Sequence, residues 1–222
     1  VAHMDKRIGD LLDAIDRLHL GKRTLVVFCS DNGGHTHSSN QPLSGEKAEL
    51  YEGGIRVPCI ARWPGRLPAG ATTSLPCITM DWTATFRRLA GCKVAPESED
   101  GIDLMPLLTG DADPEPRPLC WRRKSGPIRR VRNPGRAVRR GPWKLLEMPG
   151  GQRYLFNLEH DVAEQNNLID EHPELVGQLV RALDDWETMV DAGPPSEPPA
   201  PSTPGRERSE PTDSPQVNQR EK

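Results

Sequence analysis

Thr24-Leu25-Val26-Val27-Phe28-Cys29-Ser30-Asp31-Asn32-Gly33-Gly34-His35 is the stretch on which the fold turns. Its first six residues are a continuous β-prone run, apolar on both faces, the pattern of an interior strand in a mostly parallel sheet. Upstream, Ile8, Leu11, Leu12, Ile15 and Leu18 recur at helical spacing between Met4 and Leu20. They form one face of an amphipathic helix, and Gly21 supplies the expected C-terminal stop. Helix, short turn and buried strand make half of an α/β crossover unit, so the fold class reads as α/β.

Residues 30–54 are polar, rich in Gly, Ser, Asn and His, and without periodicity: a long loop leaving the C-terminal end of a buried strand. Open α/β sheets place their ligand sites there, and long loops in that position are more often functional than idle. A second strand is expected from Ile55 to Arg62, ending at the turn Trp63-Pro64-Gly65. A helix is expected from Asp81 to Leu89, capped by Asp81 and stopped by Gly91, and 101–110 reads as a compact apolar turn segment. Past residue 110 come basic hairpin-like segments over 119–146 and a strand from Arg153 to Asn157. Leu175, Val176, Leu179, Leu183, Trp186 and Val190 then mark a second amphipathic helix.

From Asp191 onward eight of the 23 prolines appear, and Val217 is the only large aliphatic residue. Such a tail buries too little apolar area to offset its ordering entropy. The chain therefore divides into 1–110, the end of a large mixed sheet flanked by helices; 111–190, a small antiparallel-sheet subdomain with a terminal helix; and 191–222, a disordered Pro-rich tail.

The 222 residues are 35% hydrophobic with 20 glycines, enough for a true core. A formal net charge of −3 argues against a nucleic-acid-binding protein. No run approaches about 18 consecutive apolar residues, so no membrane span is expected. The residues after Val1 read as a helix in progress, not as a secretory leader. Five cysteines (Cys29, Cys59, Cys77, Cys92, Cys120) are widely spaced and form no zinc pattern. Cys29 and Cys59 lie in apolar runs that suggest buried thiols. Compartment stays open.

Asp31 and Asn32, side by side at a strand end, present two hard oxygens to one point, which suits Ca²⁺ or Mg²⁺. The glycines after them let backbone approach closely. The plain alternative is an Asx turn closing a strand. Lys47 follows, then Tyr51-Glu52-Gly53-Gly54-Ile55-Arg56-Val57-Pro58 and Arg62-Trp63-Pro64-Gly65. With these motifs in this order, the chain resembles the formylglycine-dependent sulfatases of the alkaline-phosphatase-like superfamily. Asp100-Gly101-Ile102-Asp103-Leu104, Trp143-Lys144-Leu145 and Tyr154-Leu155-Phe156-Asn157-Leu158 also match, as do Asp161, Glu164 and Asn167-Leu168. The likeness runs from residue 1 to about 190 and marks the chain as the C-terminal half of such a protein.

The resemblance implies metal-dependent hydrolysis of sulfate esters. Asp31 and Asn32 would be metal ligands, for Ca²⁺ with Mg²⁺ as the alternative, and Lys47 a catalytic lysine contacting the substrate sulfate. His35 would be a further catalytic candidate near the leaving group. A sulfated small molecule or carbohydrate would be the substrate, and a periplasmic or secreted location is implied. A divalent ion and a lysine supply the electrostatic stabilisation that a charged sulfate ester needs. Glu52 and Arg56 read as structural, pairing or capping a turn in which Gly53 and Gly54 supply special backbone angles.

The family nucleophile, a Cys or Ser in Cys/Ser-x-Pro-Ser/Ala-Arg that is oxidised to formylglycine, is absent: no cysteine here has proline two places on. Ser202-Thr203-Pro204-Gly205-Arg206 fits only loosely and sits in the expected tail. The formylglycine is expected upstream and this chain alone is expected to be inactive. Two rivals remain at this point, a phosphonate or phosphodiester hydrolase sharing the Asp-Asn pair, and a non-catalytic remnant. The run Arg122-Arg123-Lys124 … Arg129-Arg130 … Arg132 … Arg136 … Arg139-Arg140 … Lys144 contains no acid. It reads as the solvated face of a hairpin, against an anion-binding rim for a sulfated polysaccharide or a nucleic-acid surface with Trp121 and Trp143 stacking.

Overall fold

The structure is a computed structural model and describes residues 1–92, 100–112, 115–123 and 135–193. The Pro-rich segment from 194, with Ser202, and the basic residues Lys124, Arg129, Arg130 and Arg132 lie outside the described residues.

The first element is helix α1, Ala2–Arg17. It ends not at Gly21 but two residues earlier, where His19 adopts φ +55. There His19 N–H bonds Asp16 O at 3.0 Å and Leu20 N–H bonds Ile15 O at 2.9 Å, a Schellman closure. Gly21 opens a short 3₁₀ turn, Gly21–Arg23, instead. No residue of α1 is buried.

Strand β1, Val26–Cys29, pairs antiparallel with β2, Cys59–Arg62, with Cys29 opposite Cys59 and Val26 opposite Arg62. The expected parallel neighbours are not among the described residues, so β1 is not interior here. Phe28 is 38% and Ile60 63% exposed, and both Cys29 and Cys59 are exposed thiols, not buried ones. The strand expected from Ile55 begins only at Cys59, because 52–55 form a one-turn helix, α2 (Glu52–Ile55). Trp63-Pro64-Gly65 does turn the chain, with Arg66 N–H on Trp63 O at 3.0 Å and Gly65 at φ +79.

Helix α3, Thr79–Leu89, closes on Gly91 as expected, but Asp81 stands three residues inside it and reaches back to Ile78 N–H at 2.8 Å. Fully buried, Asp81 also accepts Ile102 N–H at 3.0 Å and pairs with Arg117. Thr85 Oγ1 accepts Leu104 N–H at 2.9 Å, so α3 anchors the 101–104 segment that leads into helix α4, Met105–Thr109.

The remaining strands, β3 (Pro118–Arg123), β4 (Gly135–Arg140), β5 (Trp143–Glu147) and β6 (Arg153–Asn157), form a four-stranded antiparallel meander in sequence order. Helix α5, Pro173–Ala192, packs across β3, β4 and β5 and continues two residues past the expected end of the subdomain. Register explains the core. Cys120, Val138, Leu145 and Leu155 align in one row across the strands and meet Leu179 and Leu183 of α5. Burial pushes the Cys120 thiol up to about 11. The neighbouring row, Trp121, Ala137, Leu146 and Tyr154, points to the opposite face and packs on Leu50, Tyr51 and Ile55. Both faces of this sheet are therefore covered.

The basic run finds its acids on α5 and β5. Arg122, Arg136, Glu147 and Arg153 form another cross-strand row on the α5 side. Arg136 contacts Glu147 at 2.8 Å, Asp184 at 2.6 Å and Glu187 at 2.8 Å, while Arg122 contacts Glu187 and Asp191, both at 2.8 Å. Burial pushes the Glu147 carboxyl up, but hydrogen bonds from Arg136 and Arg153 outweigh it and hold Glu147 below the usual carboxylate range. No described helix is long and apolar enough to cross a membrane.

Because Leu183 is fully buried between α5 and the row Cys120–Leu155, Leu183→Ala should cost about 2–5 kcal/mol of stability. A loss of unfolding free energy below about 0.5 kcal/mol, taken as the midpoint shift times the denaturant slope, would show the α5–sheet contact to be dispensable.

Candidate active site: a loop seated on glycines

The chain leaves β1 at Cys29 into the Ser30–Gly34 loop, which is folded back on itself. Ser30 Oγ donates to Asn32 O at 2.8 Å, bringing the carbonyl side of the Asp31-Asn32 pair under the strand end. Gly33 N–H then donates to Gly54 O at 2.9 Å. A Cβ on Gly33 would stand 1.7 Å from Gly53 O, a Cβ on Gly53 2.3 Å from Gly45 O, and one on Gly54 2.1 Å from Glu49 O. Gly53 and Gly54 keep ordinary helical angles, so their role is not the special backbone conformation expected from the sequence. They are glycine because three stretches of backbone meet there with no room for side chains.

A second set of bonds brings in Lys47. Its N–H donates to Gly34 O at 2.9 Å, and Asn40 locks the same carbonyl from the side, with Nδ2 donating to Gly34 O at 3.0 Å and to Gly45 O at 3.1 Å. Asn40 Oδ1 accepts Gly34 N–H at 2.8 Å. Lys47 is thereby placed beside Gly34, two residues from Asn32, with its side chain exposed. His35 follows on the same surface, its Nδ1 in contact with Thr36 Oγ1 and its Nε2 3.6 Å from Glu46 Oε1. A backbone bond thus brings Lys47 beside Gly34, in the loop that follows β1 and carries Asp31, Asn32 and His35.

Asp31 is exposed and Asn32 half-buried, with adjacent side chains that carry hard oxygens. That donor set fits part of a Ca²⁺ shell of about 6–8 oxygens, and no group of three His, Cys, Asp or Glu side chains that could hold a metal occurs among the described residues.

Behind the loop lies a buried charge cluster that the sequence pattern did not expose. Lys144 of β5 is fully buried, with Nζ 2.9 Å from Glu52 Oε1 and 2.8 Å from Glu164 Oε1. Glu52 N–H, at the start of α2, donates to Glu164 Oε2 at 2.6 Å. Glu52 Oε2 has no hydrogen-bond partner, with Arg139 at 3.6 Å and Arg56 at 3.7 Å as its nearest cations. The expected Glu52–Arg56 pairing is present, but it is the looser contact. Burial pushes the Glu164 carboxyl up, and Lys144 offsets that only in part. The signal available in sequence was a lysine inside the apolar strand Trp143–Leu146, on the face opposite Leu145.

An added methyl at Gly33 collides with backbone, so Gly33→Ala should cost about 1–3 kcal/mol and displace the Asp31-Asn32 loop. Gly9→Ala, in α1 with nothing within 4 Å, should be neutral or gain up to about 1 kcal/mol. Equal midpoints for the two variants in chemical denaturation would remove close approach as the reason for Gly33.

The comparisons with known proteins agree in direction. Residues 1–92 match the family described as Sulfatase. Steryl-sulfatase of Mus musculus is 42% identical over 123 residues, 50% of this chain and 20% of the relative. Arylsulfatase A of Bos taurus is 30% identical over 215 residues, 84% of this chain and 41% of the relative. The crystal structure of Ps i-CgsB in complex with k-i-k-neocarrahexaose superposes with a TM-score of 0.74 at 32% identity, covering 82% of this chain and 40% of that one. The chain thus spans between about a fifth and two fifths of the length of these relatives. These likenesses, in sequence and in an α/β fold like that of i-CgsB, support a member of the sulfatase family.

Proposed function

We propose that this chain provides part of the active site of a sulfatase, which hydrolyses a sulfate ester: the sulfur–oxygen bond to the alcohol breaks, an oxygen that comes ultimately from water replaces it on sulfur, and alcohol and sulfate are released. The observation that carries the reading is the Asp31-Asn32 loop, seated on Gly53 and Gly54 with Lys47 bonded to its far side at Gly34 O. Asp31 and Asn32 would hold Ca²⁺, or Mg²⁺ in its place, together with ligands from outside this chain. The bound ion would supply charge stabilisation to the sulfate oxygens. Lys47 would place its ammonium against another sulfate oxygen, and a preorganised donor of that kind works by stabilising charge that develops in the transition state. His35, whose contact with exposed Glu46 leaves it at the surface, would face the leaving-group side.

The nucleophile, a formylglycine by the family reading, would come from residues outside this chain, and so would the remaining metal ligands. The uncovered side of the β1–β2 sheet, with Phe28 and Ile60 exposed, is where such residues would pack. A sulfated small molecule or carbohydrate is the proposed substrate. The described arginines of the C-terminal sheet give an anion-binding rim little support, since Arg122 and Arg136 are engaged by acids of α5.

Two experiments test the reading. With the nucleophile-bearing residues supplied in cis or in trans, Lys47→Ala should lower turnover of a chromogenic aryl sulfate by about 10²–10³, and Asp31→Ala should abolish it with the fold retained. Full turnover by Asp31→Ala in Ca²⁺-depleted buffer would sink the metal assignment, and a Lys47→Ala variant within twofold of the parent would sink the lysine. Residues 1–222 alone, with Ca²⁺ added, should give no measurable turnover. Turnover that survives Ser202→Ala would reveal an unrecognised nucleophile, and turnover lost with it would point to Ser202 itself.

A further inference from the structure

Lys144, Glu52 and Glu164 come from three separate places: β5 of the C-terminal sheet, the first residue of α2, and the turn between β6 and α5. The turn is itself braced. Asp161 Oδ1 accepts Gln165 N–H at 3.0 Å, Asp161 Oδ2 accepts Asn166 N–H at 2.8 Å, and Asn167 Oδ1 accepts Leu155 N–H at 2.9 Å. Glu164 is held at φ +55, a conformation that a glutamate adopts only when its surroundings impose it. Its two oxygens then do different things, one facing Lys144 Nζ and the other accepting Glu52 N–H. At the residue before Glu164, Ala163 O accepts Ser44 Oγ–H at 2.6 Å, and Ser44 O accepts Gly53 N–H at 2.6 Å. The same turn therefore grips the chain both before and after the Lys47 segment.

From Glu52 the contacts run directly to the site. Gly53 and Gly54 follow it in the chain, Gly33 lies against them with its N–H on Gly54 O, and Asn32 and Asp31 precede Gly33. We infer that Lys144 and Glu164 are positioning residues: by fixing Glu52 they set where the Asp31-Asn32 loop stands relative to Lys47. Their use in catalysis rests on the sulfate-ester reading above; the mechanical link does not. A pair that only stabilised the C-terminal sheet would have its partners within that sheet. Here one partner lies 92 residues away in the chain, beside the site.

Amide hydrogen exchange in the full chain, or in the complete protein, reads this link without any assay of turnover. The reporters are Gly33 N–H, Gly53 N–H and Lys47 N–H, each bonded within the site, set against the amides of β5 and β6 in the same sample. Lys144→Met keeps the side-chain length and leaves two carboxylates facing each other. It should speed exchange at the three reporters by about tenfold or more while the β5–β6 amides change little. Adding Glu164→Gln removes a negative charge in turn, keeps a side-chain carbonyl for Glu52 N–H, and should restore most of the protection. Acceleration spread equally over sheet and loop, or none at Gly33, overturns the inference. Should Lys144→Met not fold, Glu164→Gln alone should still give a smaller acceleration confined to the reporters, and its absence overturns the inference as well. In the complete protein Lys144→Met should lower kcat more than it raises KM. An Asp31→Ala variant with full turnover would defeat the sulfate-ester reading while leaving the exchange result standing.

Discussion

A lysine with no solvent exposure cannot be left unpaired. Removing an ammonium from water costs several kcal/mol unless opposite charge and hydrogen bonds replace the lost hydration. Lys144 meets that constraint with Glu52 and Glu164, and much of the molecule is arranged around the need. β5 must present Lys144 on the face away from α5, which fixes Leu145 toward the helix and Leu146 toward Leu50. The turn after β6 must deliver Glu164 in a left-handed backbone conformation. Glu52 must sit at the very start of α2, so that its N–H as well as its carboxylate faces the cluster. One slip of register in β5 would send the charge into the α5 core.

The second constraint is steric, and it is shared by two motifs that lie about twenty residues apart. Gly33 is small because Gly53 O is in its way, and Gly53 and Gly54 are small because the carbonyls of Gly45 and Glu49 are in theirs. In each case the obstacle is a backbone carbonyl. The electrostatic cluster places α2, and the glycines transmit that placement to the loop without any side chain that could yield by changing rotamer. Distances of 2.6–2.9 Å along the Ser44–Gly53, Glu52–Glu164 and Gly33–Gly54 bonds leave little slack in this path.

What could be read in the sequence follows from where each signal resides. α1, α3, α5 and the meander were legible because helical spacing and basic strand runs are local patterns, and Leu179 and Leu183 fell in the core as their spacing required. Strand β1 was legible as a strand but not in its environment. An apolar run predicts two covered faces, and Phe28 and Cys29 are exposed because the neighbours such a run expects are not among the described residues. Ile55 was misread as strand because β-branched residues around Val57 outweighed a four-residue helix whose cause, the Glu52–Glu164 contact, is 112 residues long in the chain. The acids that neutralise Arg122 and Arg136 sit on α5, so a basic run without local acids looked unpaired. The candidate site residues stood out only through motif order, since neither Asp31 nor Lys47 carries a local signal stronger than a loop residue. Lys144 and Glu164 matched the family pattern, but their meeting is a fact of three dimensions alone.

The two parts of the chain differ in how much they can hold by themselves, and this bears on why the site depends on the C-terminal sheet. That sheet has four strands, a helix on one face and packed side chains on the other. β1 and β2 are four residues each, and α2 is a single turn. A two-stranded sheet is marginal in water and a one-turn helix is below the length that sustains itself. A loop that, on the reading proposed above, would hold a cation at Asp31 and Asn32 and a sulfate at Lys47 cannot draw its order from such elements alone. It draws it from the rigid sheet, through a buried lysine, two glutamates and three glycines. Sequence distance is no guide to rigidity in this arrangement: the loop bonds directly to Asn40, Lys47 and Gly54, and the residues that hold Glu52 behind them, Lys144 and Glu164, lie beyond residue 140.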